Sequence, residues 1–419
     1  MRLKTILNKC CYFKGFAFGK ARFDERAQSI IVPINARKNS KPTCSRCGKT
    51  APGYDKLPVR IFEFIPFWGF HIFFEYALRR VKCPHCKAVV AEKIPWSDGK
   101  NHLTHHYCKY LADWAKEISW KRVAERFRTS WCTVRRSVEQ IVTYGLKHRE
   151  VEGVTALGVD EIQWRKGHDY LTLVYQIDKT KRRLLWVGEK RTMKTMRSFF
   201  KHFKTLNDDF CEHIKVICSD MWKPYLRIIS EELPNAINVL DRFHIMQKFG
   251  KAIDKVRAEE ARRLKEEGKN PVLAKSRWCF LKRKGNLTSK QNFRLQELLQ
   301  MNLRTVKAYL LKEQFHGFWE YKSPAWAGKF LDVWCKKAMS SKIEPMKKVA
   351  QMLRSHRELI LNYFRAEKQF NSGIVEGLNR KINLTVRKAF GYRSFKVIEI
   401  ALYHQLGDLP EPKFTHEFW

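Results

Sequence analysis

The order of β-rich and helical runs between residues 157 and 240 limits the possible folds of this chain more than any other feature of its sequence. Three β-rich runs follow one another closely enough to pair as antiparallel neighbours, and each of the two later runs comes after a helical stretch. A strand that is reached through a helix usually pairs in parallel with its neighbour. The runs are, in order, Leu157–Ile162, Tyr170–Asp178, Arg183–Glu189, the helical Thr192–Leu206, His213–Ser219, the helical Pro224–Leu233, and Ile237–Leu240. The pattern therefore predicts a mixed α/β domain.

Acidic residues stand where two of these β-rich runs end. Asp160 ends the apolar segment 157–160 within the first run, and Asp220 follows the fourth run, just before a helical stretch. A third acid, Glu376, stands in the first turn of a predicted helix over Ser372–Lys388. Ligands commonly bind where the strands of an α/β sheet end. Any one of these acids by itself is more often a solvated surface residue, but their order along the chain favours a shared site.

Asp160, Asp220 and Glu376 are therefore predicted to be catalytic residues that bind metal. Three carboxylates at close range repel one another and have raised pKa values unless a cation balances their charge. Mg²⁺ prefers oxygen ligands. Two such ions about 3.5–4 Å apart can activate a nucleophile and stabilise the leaving oxygen during in-line attack on a phosphodiester. We expect two Mg²⁺ or Mn²⁺ ions per active site.

A second metal site is predicted from two Cys-x-x-Cys pairs near the N-terminus. Four thiolates in a tetrahedron are what a structural Zn²⁺ requires, and Gly48 allows a tight turn after the first pair. The 35 residues between the pairs exceed the usual spacing, but Val59–Phe64 and His71–Arg80 are typical of strands that could fold back. The alternative, four unrelated buried thiols, is disfavoured by the repeated spacing. The expected ligands of one Zn²⁺ are Cys44, Cys47, Cys83 and Cys86.

Helical periodicity between residues 110 and 145 predicts a helix-turn-helix. Ser119 and Ser130 are positioned as N-caps of two successive helices, with Arg128 in the turn between them. A bundle of three helices without DNA-binding function would share the apolar pattern, and the turn lacks the glycine that is often found there. The second helix would present four side chains to a DNA groove, namely Trp131, Thr133, Arg135 and Arg136.

The charge of the chain also indicates a polyanionic partner. The sequence has 82 Lys and Arg residues against 42 Asp and Glu residues, which gives a formal net charge of +40. The basic residues run from end to end rather than along one amphipathic segment, so a nucleic acid is favoured over a membrane surface and over a merely soluble basic surface. The most apolar stretch, Ile61–Leu78, contains charged residues and falls short of the roughly 20 apolar residues of a membrane span.

Taken together, the motifs resemble those of the DDE transposases of bacterial insertion sequences, specifically the ISL3 family. The resemblance covers nearly the whole chain. It implies a catalytic core of ribonuclease-H-like fold with Asp160, Asp220 and Glu376 as the triad. The matching motifs are the two cysteine pairs, the helix-turn-helix, Gly158–Glu161, Ser219–Met221 with Tyr225, Asp241–His244, and the segment from Ser372 through Asn379 to Arg387, Gly391 and Tyr392.

The resulting prediction is a multidomain α+β protein. It has an N-terminal zinc ribbon and a helix-turn-helix, followed by a ribonuclease-H-like α/β core with an all-helical insertion. The predicted domains are residues 1–100 (zinc-binding), 101–150 (helix-turn-helix), 151–249 (first part of the core), 250–366 (helical insertion) and 367–419 (second part of the core, with the Glu376 helix).

Two assignments within the resemblance have alternatives. Asp241 also follows a β-rich run, but Asp220 is preferred because the fourth strand of this fold carries the second aspartate. For His244, packing beside Phe243 is preferred, and the alternatives are a metal ligand and a DNA contact. Asn383 stands where a lysine is common in the family. Five residues after Glu376 are expected to bind DNA, namely Asn379, Arg380, Lys381, Arg387 and Lys388. For the four basic residues of this set, a solvated helical face is the alternative.

The predicted function is that of a DNA transposase that binds the terminal inverted repeats of its own element and transfers strands to target DNA. Water would first free a 3′-hydroxyl, which would then attack a second phosphodiester without a covalent enzyme intermediate. The family implies a bacterial cytoplasmic protein associated with the nucleoid, acting as a homodimer or larger assembly on DNA. Two alternatives are a zinc and helix-turn-helix transcription regulator without catalysis, and a structure-selective nuclease that cuts but does not join.

Overall fold

The computed structural model describes residues 3–98, 101–165, 167, 169–369 and 372–412. Contacts between Cα atoms divide the chain into two compact units, residues 1–150 together with 384–419, and residues 151–383. The division into five domains stays a prediction. No helix among the described residues is long and apolar enough to cross a membrane.

Both units contain strands and helices, which confirms the prediction of a mixed α/β multidomain chain. The strands of the described residues are β1 (Phe16–Phe18), β2 (Arg22–Asp24), β3 (Ser29–Ala36), β4 (Gly53–Phe67), β5 (Phe70–Cys83), β6 (Ala88–Ala91), β7 (Ala156–Gln163), β8 (Tyr170–Ile177), β9 (Arg182–Glu189), β10 (Val216–Ser219) and β11 (Ile237–Leu240). The α-helices are α1 (Leu3–Cys10), α2 (His105–Glu117), α3 (Trp120–Arg126), α4 (Trp131–His148), α5 (Met193–Leu206), α6 (Phe210–His213), α7 (Lys223–Glu232), α8 (Arg242–Glu266), α9 (Arg277–Leu281), α10 (Ser289–Leu299), α11 (Arg304–His316), α12 (Pro324–Ser340), α13 (Glu344–Ser355), α14 (Arg357–Arg365), α15 (Ser372–Lys388) and α16 (Phe395–Leu406).

The first unit is built around the long β4–β5 hairpin. These strands pair antiparallel and extend well beyond the two predicted runs. Strand β3 pairs in parallel with β5 and antiparallel with β1, while β2 and β6 pair with β3 and β5 respectively. Side chains alternate along β5 between buried and partly exposed, as expected for a sheet with one covered face. Phe62, Phe74 and Trp96 are fully buried in its core.

Helices α2, α3 and α4 also belong to the first unit. The predicted N-caps are confirmed, because Ser119 accepts a hydrogen bond from the Arg122 amide and Ser130 accepts one from the Thr133 amide. Arg128 has a φ of 49° in the turn, so it adopts the left-handed conformation that glycine usually supplies. No helix after residue 388 is predicted from the sequence. Helix α16 follows and packs against α4.

The second unit contains the predicted mixed sheet, with the strand order β11-β10-β7-β8-β9. Strands β7, β8 and β9 are antiparallel neighbours, whereas β10 is parallel to both β7 and β11. Helices α5 and α7 supply Phe199, Phe203 and Ile228 to a core shared with Leu157 and Val174 of the sheet. The β-rich run expected to begin at residue 213 begins later, since residues 210–213 form the short helix α6.

Helices α8 to α14 form the helical part of the second unit, and α8 already begins at Arg242, before the predicted insertion. A buried carboxylate fixes the start of α11. Glu260 of α8 is 2% exposed, and its oxygens accept hydrogen bonds from the amides of Arg304 and Thr305 at 2.8 and 2.7 Å. A negative charge at a helix N-terminus satisfies otherwise unpaired amides and interacts favourably with the helix dipole.

Candidate functional site

The register of the second sheet places three aspartates side by side at its carboxyl edge. Gly158 of β7 pairs with Cys218 of the parallel strand β10. Asp160 stands two residues after Gly158 within β7, and Asp220 stands two residues after Cys218, directly after β10 ends, so continuing the register brings the two acids level with each other. Strand β10 pairs with β11 through Ser219 and Leu240, so the next residue, Asp241, lies level with Asp220 in turn. Sequence reasoning predicted the edge, and the parallel pairing aligns the acids across it.

A fourth acid and an arginine complete this edge. Glu161 follows Asp160 in β7, and its Oε1 lies 2.9 Å from Nε of Arg191, in the turn between β9 and α5. Another nitrogen of the same guanidinium, Nη2, lies 3.6 Å from Oδ2 of Asp220. The group also stands over the Trp222 ring, 4.5 Å from its centroid. Arg191 therefore compensates charge on two of the clustered carboxylates while resting on an aromatic face.

Burial at this edge raises the pKa of two neighbouring carboxyls. The pKa of Glu161 rises to about 7 because burial and the charges of Asp160 and Asp220 outweigh the opposing effect of Arg191. The pKa of Asp160 is also raised, mainly by burial, although hydrogen bonds from the Glu161 amide and Asn379 oppose this. Carboxylates whose charge is costly in this way fit a site that a divalent cation would complete.

Asp241, the alternative to Asp220 as the second aspartate of the triad, has a structural role at the start of α8. Its side chain caps α8 by accepting a hydrogen bond from the Phe243 amide at 2.6 Å. His244 lies in the next turn, with Nε2 3.5 Å from Asp241 and Nδ1 3.8 Å from Asp220. The imidazole also packs edge-on to Phe243, with ring centroids 5.7 Å apart. Thus His244 packs where the sequence suggested, but it also stands between the two aspartates.

Helix α15 lies against β7 because that strand carries a glycine at the contact. A side chain at Gly158 would place its Cβ 2.7 Å from Cγ2 of Val375 and 3.2 Å from Cγ2 of Ile177. Normal packing requires larger separations, so only the missing side chain lets the helix approach this closely. The glycine in the Gly158–Glu161 motif therefore determines how near the Glu376 helix comes to the sheet.

We expect Gly158→Ala to lower the free energy of unfolding of this unit by about 1–3 kcal/mol, the usual range for overpacking a filled site. Val375 is β-branched and cannot turn its methyl group away easily. Denaturant midpoints would measure the loss. The double variant Gly158→Ala with Val375→Ala should show a smaller combined loss than the sum of the two single variants, and strict additivity would contradict the proposed contact.

Glu376 is placed differently from the aspartates. Its side chain is 52% exposed, and Oε1 accepts a hydrogen bond from Nη2 of Arg380, one turn later, at 2.7 Å. The described residues hold no group of three carboxylates whose oxygens all lie within 4.8 Å of one another. The structure therefore puts Glu376 on the helix that contacts β7, but it does not gather Glu376 with Asp160 and Asp220 around one point.

Asn379 lies on the same helix and contacts the edge directly. Its Nδ2 donates to Oδ2 of Asp160 at 2.5 Å, and its Oδ1 accepts from the Tyr175 hydroxyl at 2.6 Å. Tyr175 is fully buried on β8, opposite Gly158 of β7. The sequence offered Asn379 as a DNA contact, and the structure shows that its amide is engaged within the protein.

The four predicted zinc ligands come together in the first unit. Their sulfur atoms all lie within 4.8 Å of one another, with Cys44 and Cys86 3.9 Å apart and Cys47 and Cys83 3.6 Å apart. A tetrahedron with metal–sulfur bonds of about 2.3 Å has sulfur–sulfur distances of about 3.8 Å. The Cys47 amide helps lower the pKa of the Cys44 thiol to about 7. The donor set and its spacing therefore fit Zn²⁺.

The predicted DNA-reading residues at the start of α4 differ in their surroundings. Trp131 is 42% exposed, and Arg136 is exposed without an ion pair to any described residue. Arg135 instead lies 3.1 Å from Glu139, and the Thr133 hydroxyl lies 2.9 Å from that of Ser130. Trp131 and Arg136 are thus the two members of the set that are most open to a ligand.

The basic residues after Glu376 also differ. Lys381 and Arg387 are exposed. Lys388 is only partly exposed, and its Nζ donates to the Lys116 carbonyl at the end of α2, 2.5 Å away. Burial lowers the pKa of Lys388. Lys388 therefore has a structural contact within the first unit.

Comparison with known proteins identifies the family. A family model described as a transposase of the DDE ISL3 type matches residues 157–402, more than half of the chain. The chain belongs to the ISL3 family of transposases. It is a DNA transposase, as the motifs predicted, and the matched region contains the sheet edge and the whole of α15.

Transposases of two insertion sequence elements are similar to this chain over most of its length. The transposase of insertion sequence element IS1001 from Bordetella parapertussis is 29% identical over 84% of this chain and 87% of the relative. That of element IS1557 from Mycobacterium tuberculosis is 27% identical over 91% of this chain and 89% of the relative. Among solved structures, the Drosophila P element transposase strand transfer complex is similar with a TM-score of 0.38 and 9% identity, over 71% of this chain and 90% of that one.

Three residues at the site were missed by the sequence analysis. Arg191 stands in a turn without periodicity, and Tyr175 looks like an ordinary core aromatic in an apolar strand. Glu161 was seen only as the neighbour of Asp160. The available signal was its position next to Asp160 in the same short motif, because adjacent acids are unfavourable without a compensating charge.

Proposed function

We propose that this transposase cleaves the ends of its own element and joins them to target DNA in a ribonuclease-H-like core. The observation that carries the proposal is the position of Asp160 and Asp220 on the neighbouring parallel segments of β7 and β10, with α15, the helix that carries Glu376, packed against β7 through Val375. The strand order β11-β10-β7-β8-β9 supports that fold assignment. Edges of this kind are where α/β sheets bind ligands.

Asp160, Asp220 and Glu376 would hold two Mg²⁺ or Mn²⁺ ions. When bound, the ions supply an activated oxygen nucleophile and stabilisation of the leaving oxygen. Exposed Glu376 would turn from Arg380 toward the edge, and Arg191 would keep the excess negative charge of Glu161 and Asp220 balanced. Asp241 remains the alternative to Asp220, since it lies level with it.

The reaction proposed is two successive displacements at phosphorus. In the first, water attacks the phosphodiester at an element end, and the 3′-oxygen leaves as a free hydroxyl. In the second, that 3′-hydroxyl attacks a target phosphodiester and displaces its 3′-oxygen, so no bond to the protein is formed. Joining both ends of one element would bring at least two copies of the chain together on DNA.

A strand-transfer assay tests the proposal. Purified protein, duplex DNA carrying the element ends, target DNA and Mg²⁺ should give cleaved ends and joined products, and chelation of Mg²⁺ should abolish both. Cleavage without joining would favour a nuclease. Binding to element ends without cleavage in Mg²⁺ or Mn²⁺ would favour a transcription regulator.

The first unit would recognise the element ends. Helix α4 would enter the DNA groove with Trp131 and Arg136, which are exposed at its N-terminal end. Arg380, Lys381 and Arg387 would contact phosphates near the cleaved end. One Zn²⁺ on the four cysteines would hold the hairpin and the segments that carry the cysteines in one arrangement.

Arg136→Ala should weaken binding to element ends by about 5- to 150-fold, corresponding to roughly 1–3 kcal/mol for a specific side-chain contact. Lys147→Ala is a matched control, because Lys147 is exposed near the other end of α4 and its loss removes the same charge. Mobility-shift titrations with element-end and unrelated DNA would separate the two effects. An equal loss of affinity for both DNAs, or in both variants, would show that Arg136 of α4 does not recognise the sequence of the element ends.

A further inference from the structure

Helix α15 contacts the sheet through Val375 and Asn379, which lie on one face of the helix. At Gly158 the helix packs through Val375, and one turn later Asn379 reaches Asp160, which lies two residues along the same strand. Alternate residues of a strand point to the same face, so Gly158 and Asp160 both face the helix. Tyr175, the cross-strand partner of Gly158, stands beside them. The packing contact and the polar contact therefore set both the distance and the register of α15 along β7.

The chemistry of the three side chains fixes the direction of the hydrogen bonds. An ionised carboxylate can only accept, so the Asn379 group that faces Asp160 has to be the amide nitrogen. That leaves Oδ1 of Asn379 facing Tyr175, whose hydroxyl donates to it at 2.6 Å. Burial holds the pKa of Tyr175 well above its usual value, so this hydroxyl keeps its proton at neutral pH. Tyr175 thereby orients the Asn379 amide, and Asn379 orients the Asp160 carboxylate.

We propose that Asn379, oriented by Tyr175, is a positioning residue that fixes the Asp160 carboxylate and couples it to the Glu376 helix for metal binding. The inference rests on the proposed function, because it takes Asp160 as a metal ligand. Hydrogen-bonded partners outside the ligand shell orient metal-binding carboxylates, and their loss typically lowers metal affinity or activity by roughly 10- to 100-fold. The helix would place Glu376 only while Asn379 holds its register.

The test compares Mn²⁺ binding to full-length variants, measured from the electron paramagnetic resonance signal of free Mn²⁺, with turnover on saturating element-end DNA. Asn379→Ala and Asn379→Leu should both lower Mn²⁺ affinity about 10-fold or more. Leucine fills a similar volume without hydrogen bonds, so recovery in Asn379→Leu would mean that the residue only fills space and would overturn the proposal. Tyr175→Phe should lower affinity in the same direction, and it serves as the deciding variant if the Asn379 variants do not fold.

Asn383→Ala is the matched control. Asn383 is an exposed asparagine one turn further along α15, without a side-chain hydrogen bond to any described residue. This variant should bind Mn²⁺ as the wild type does. If Asn379→Ala also binds Mn²⁺ as the wild type does, or loses affinity for DNA alone, Asn379 does not position the metal ligand and the inference fails.

Asp160→Asn separates this failure from failure of the proposed function. If Asp160→Asn loses Mn²⁺ binding while Asn379→Ala retains it, only the inference about Asn379 is wrong. If Asp160→Asn itself binds Mn²⁺ and turns over DNA as the wild type does, Asp160 is not a metal ligand. The proposed metal site and the inference about Asn379 are then both wrong.

Discussion

Asp160→Asn, Asp220→Asn and Glu376→Gln are each expected to lower the rate of element-end cleavage and joining in Mg²⁺ by at least about a thousandfold. Each change keeps the size of the side chain but removes a charged oxygen ligand. A loss of about 4 kcal/mol of transition-state stabilisation, which metal-assisted charge stabilisation readily supplies, corresponds to that factor. Single-turnover strand-transfer assays measure it directly. Binding to element-end DNA should persist, because none of these acids is expected to contact the recognition sequence.

Asp241→Asn is the informative comparison for the second aspartate. Its side chain caps α8 through the Phe243 amide, and an asparagine can still accept that hydrogen bond. We therefore expect Asp241→Asn to fold and to keep activity, whereas Asp220→Asn does not. The reverse result would assign the catalytic role to Asp241 and leave the reaction class unchanged. Wild-type rates in all three variants, Asp160→Asn, Asp220→Asn and Glu376→Gln, would contradict the metal-carboxylate mechanism.

The strands of the second unit could be predicted because each is short, mainly apolar and separated from the next by an unambiguous turn or helix. Asp220 directly follows its strand, as that pattern predicts, whereas Asp160 lies inside β7, which continues to Gln163. The alignment of the acids across the edge could not be predicted in this way, since it depends on which strands are neighbours and on the register of the Gly158–Cys218 pairing. Sequence alone does not determine pairing between distant segments without a fold to compare with.

The contacts that organise the site were harder to predict. Arg191 reaches Glu161 and Asp220 from a turn, and Asn379 reaches Asp160 over 219 residues of chain. Neither contact is accompanied by a periodic pattern of residues in the sequence. Helix α16 was missed for another reason. Its buried residues cover most of its circumference, so it lacks the one-sided pattern by which an amphipathic helix is recognised.

The cysteine cluster could be predicted more completely, because its ligands are specified by type and spacing, and the β4–β5 hairpin closes the long interval between the pairs. Gly48 takes a φ of +71° after the first pair, the conformation expected of that turn. Residue type and spacing therefore sufficed to predict this cluster, whereas the arrangement of acids at the sheet edge depends on the tertiary fold.

Removal of zinc is expected to unfold the hairpin region of the first unit. The purified chain should carry one Zn²⁺, and Cys44→Ser should lose it. Cys44 is fully buried, and structural Zn²⁺ contributes apparent binding free energies on the order of 10 kcal/mol or more to folding in small zinc modules. That exceeds the stability of many domains. Elemental analysis gives the metal content, and thermal unfolding with and without a chelator gives the loss.

Cys132→Ser is the control for this change, since Cys132 is an exposed thiol of the same unit that lies outside the cluster. It should retain one Zn²⁺ and the wild-type unfolding temperature. Because the helix-turn-helix belongs to the same unit, Cys44→Ser should also weaken binding to element ends, while the Asp160, Asp220 and Glu376 edge keeps its Mn²⁺ affinity. A zinc-free wild-type chain with unchanged unfolding would show that the four thiols are packed together without metal, and that the sheet alone holds them at 3.6–3.9 Å.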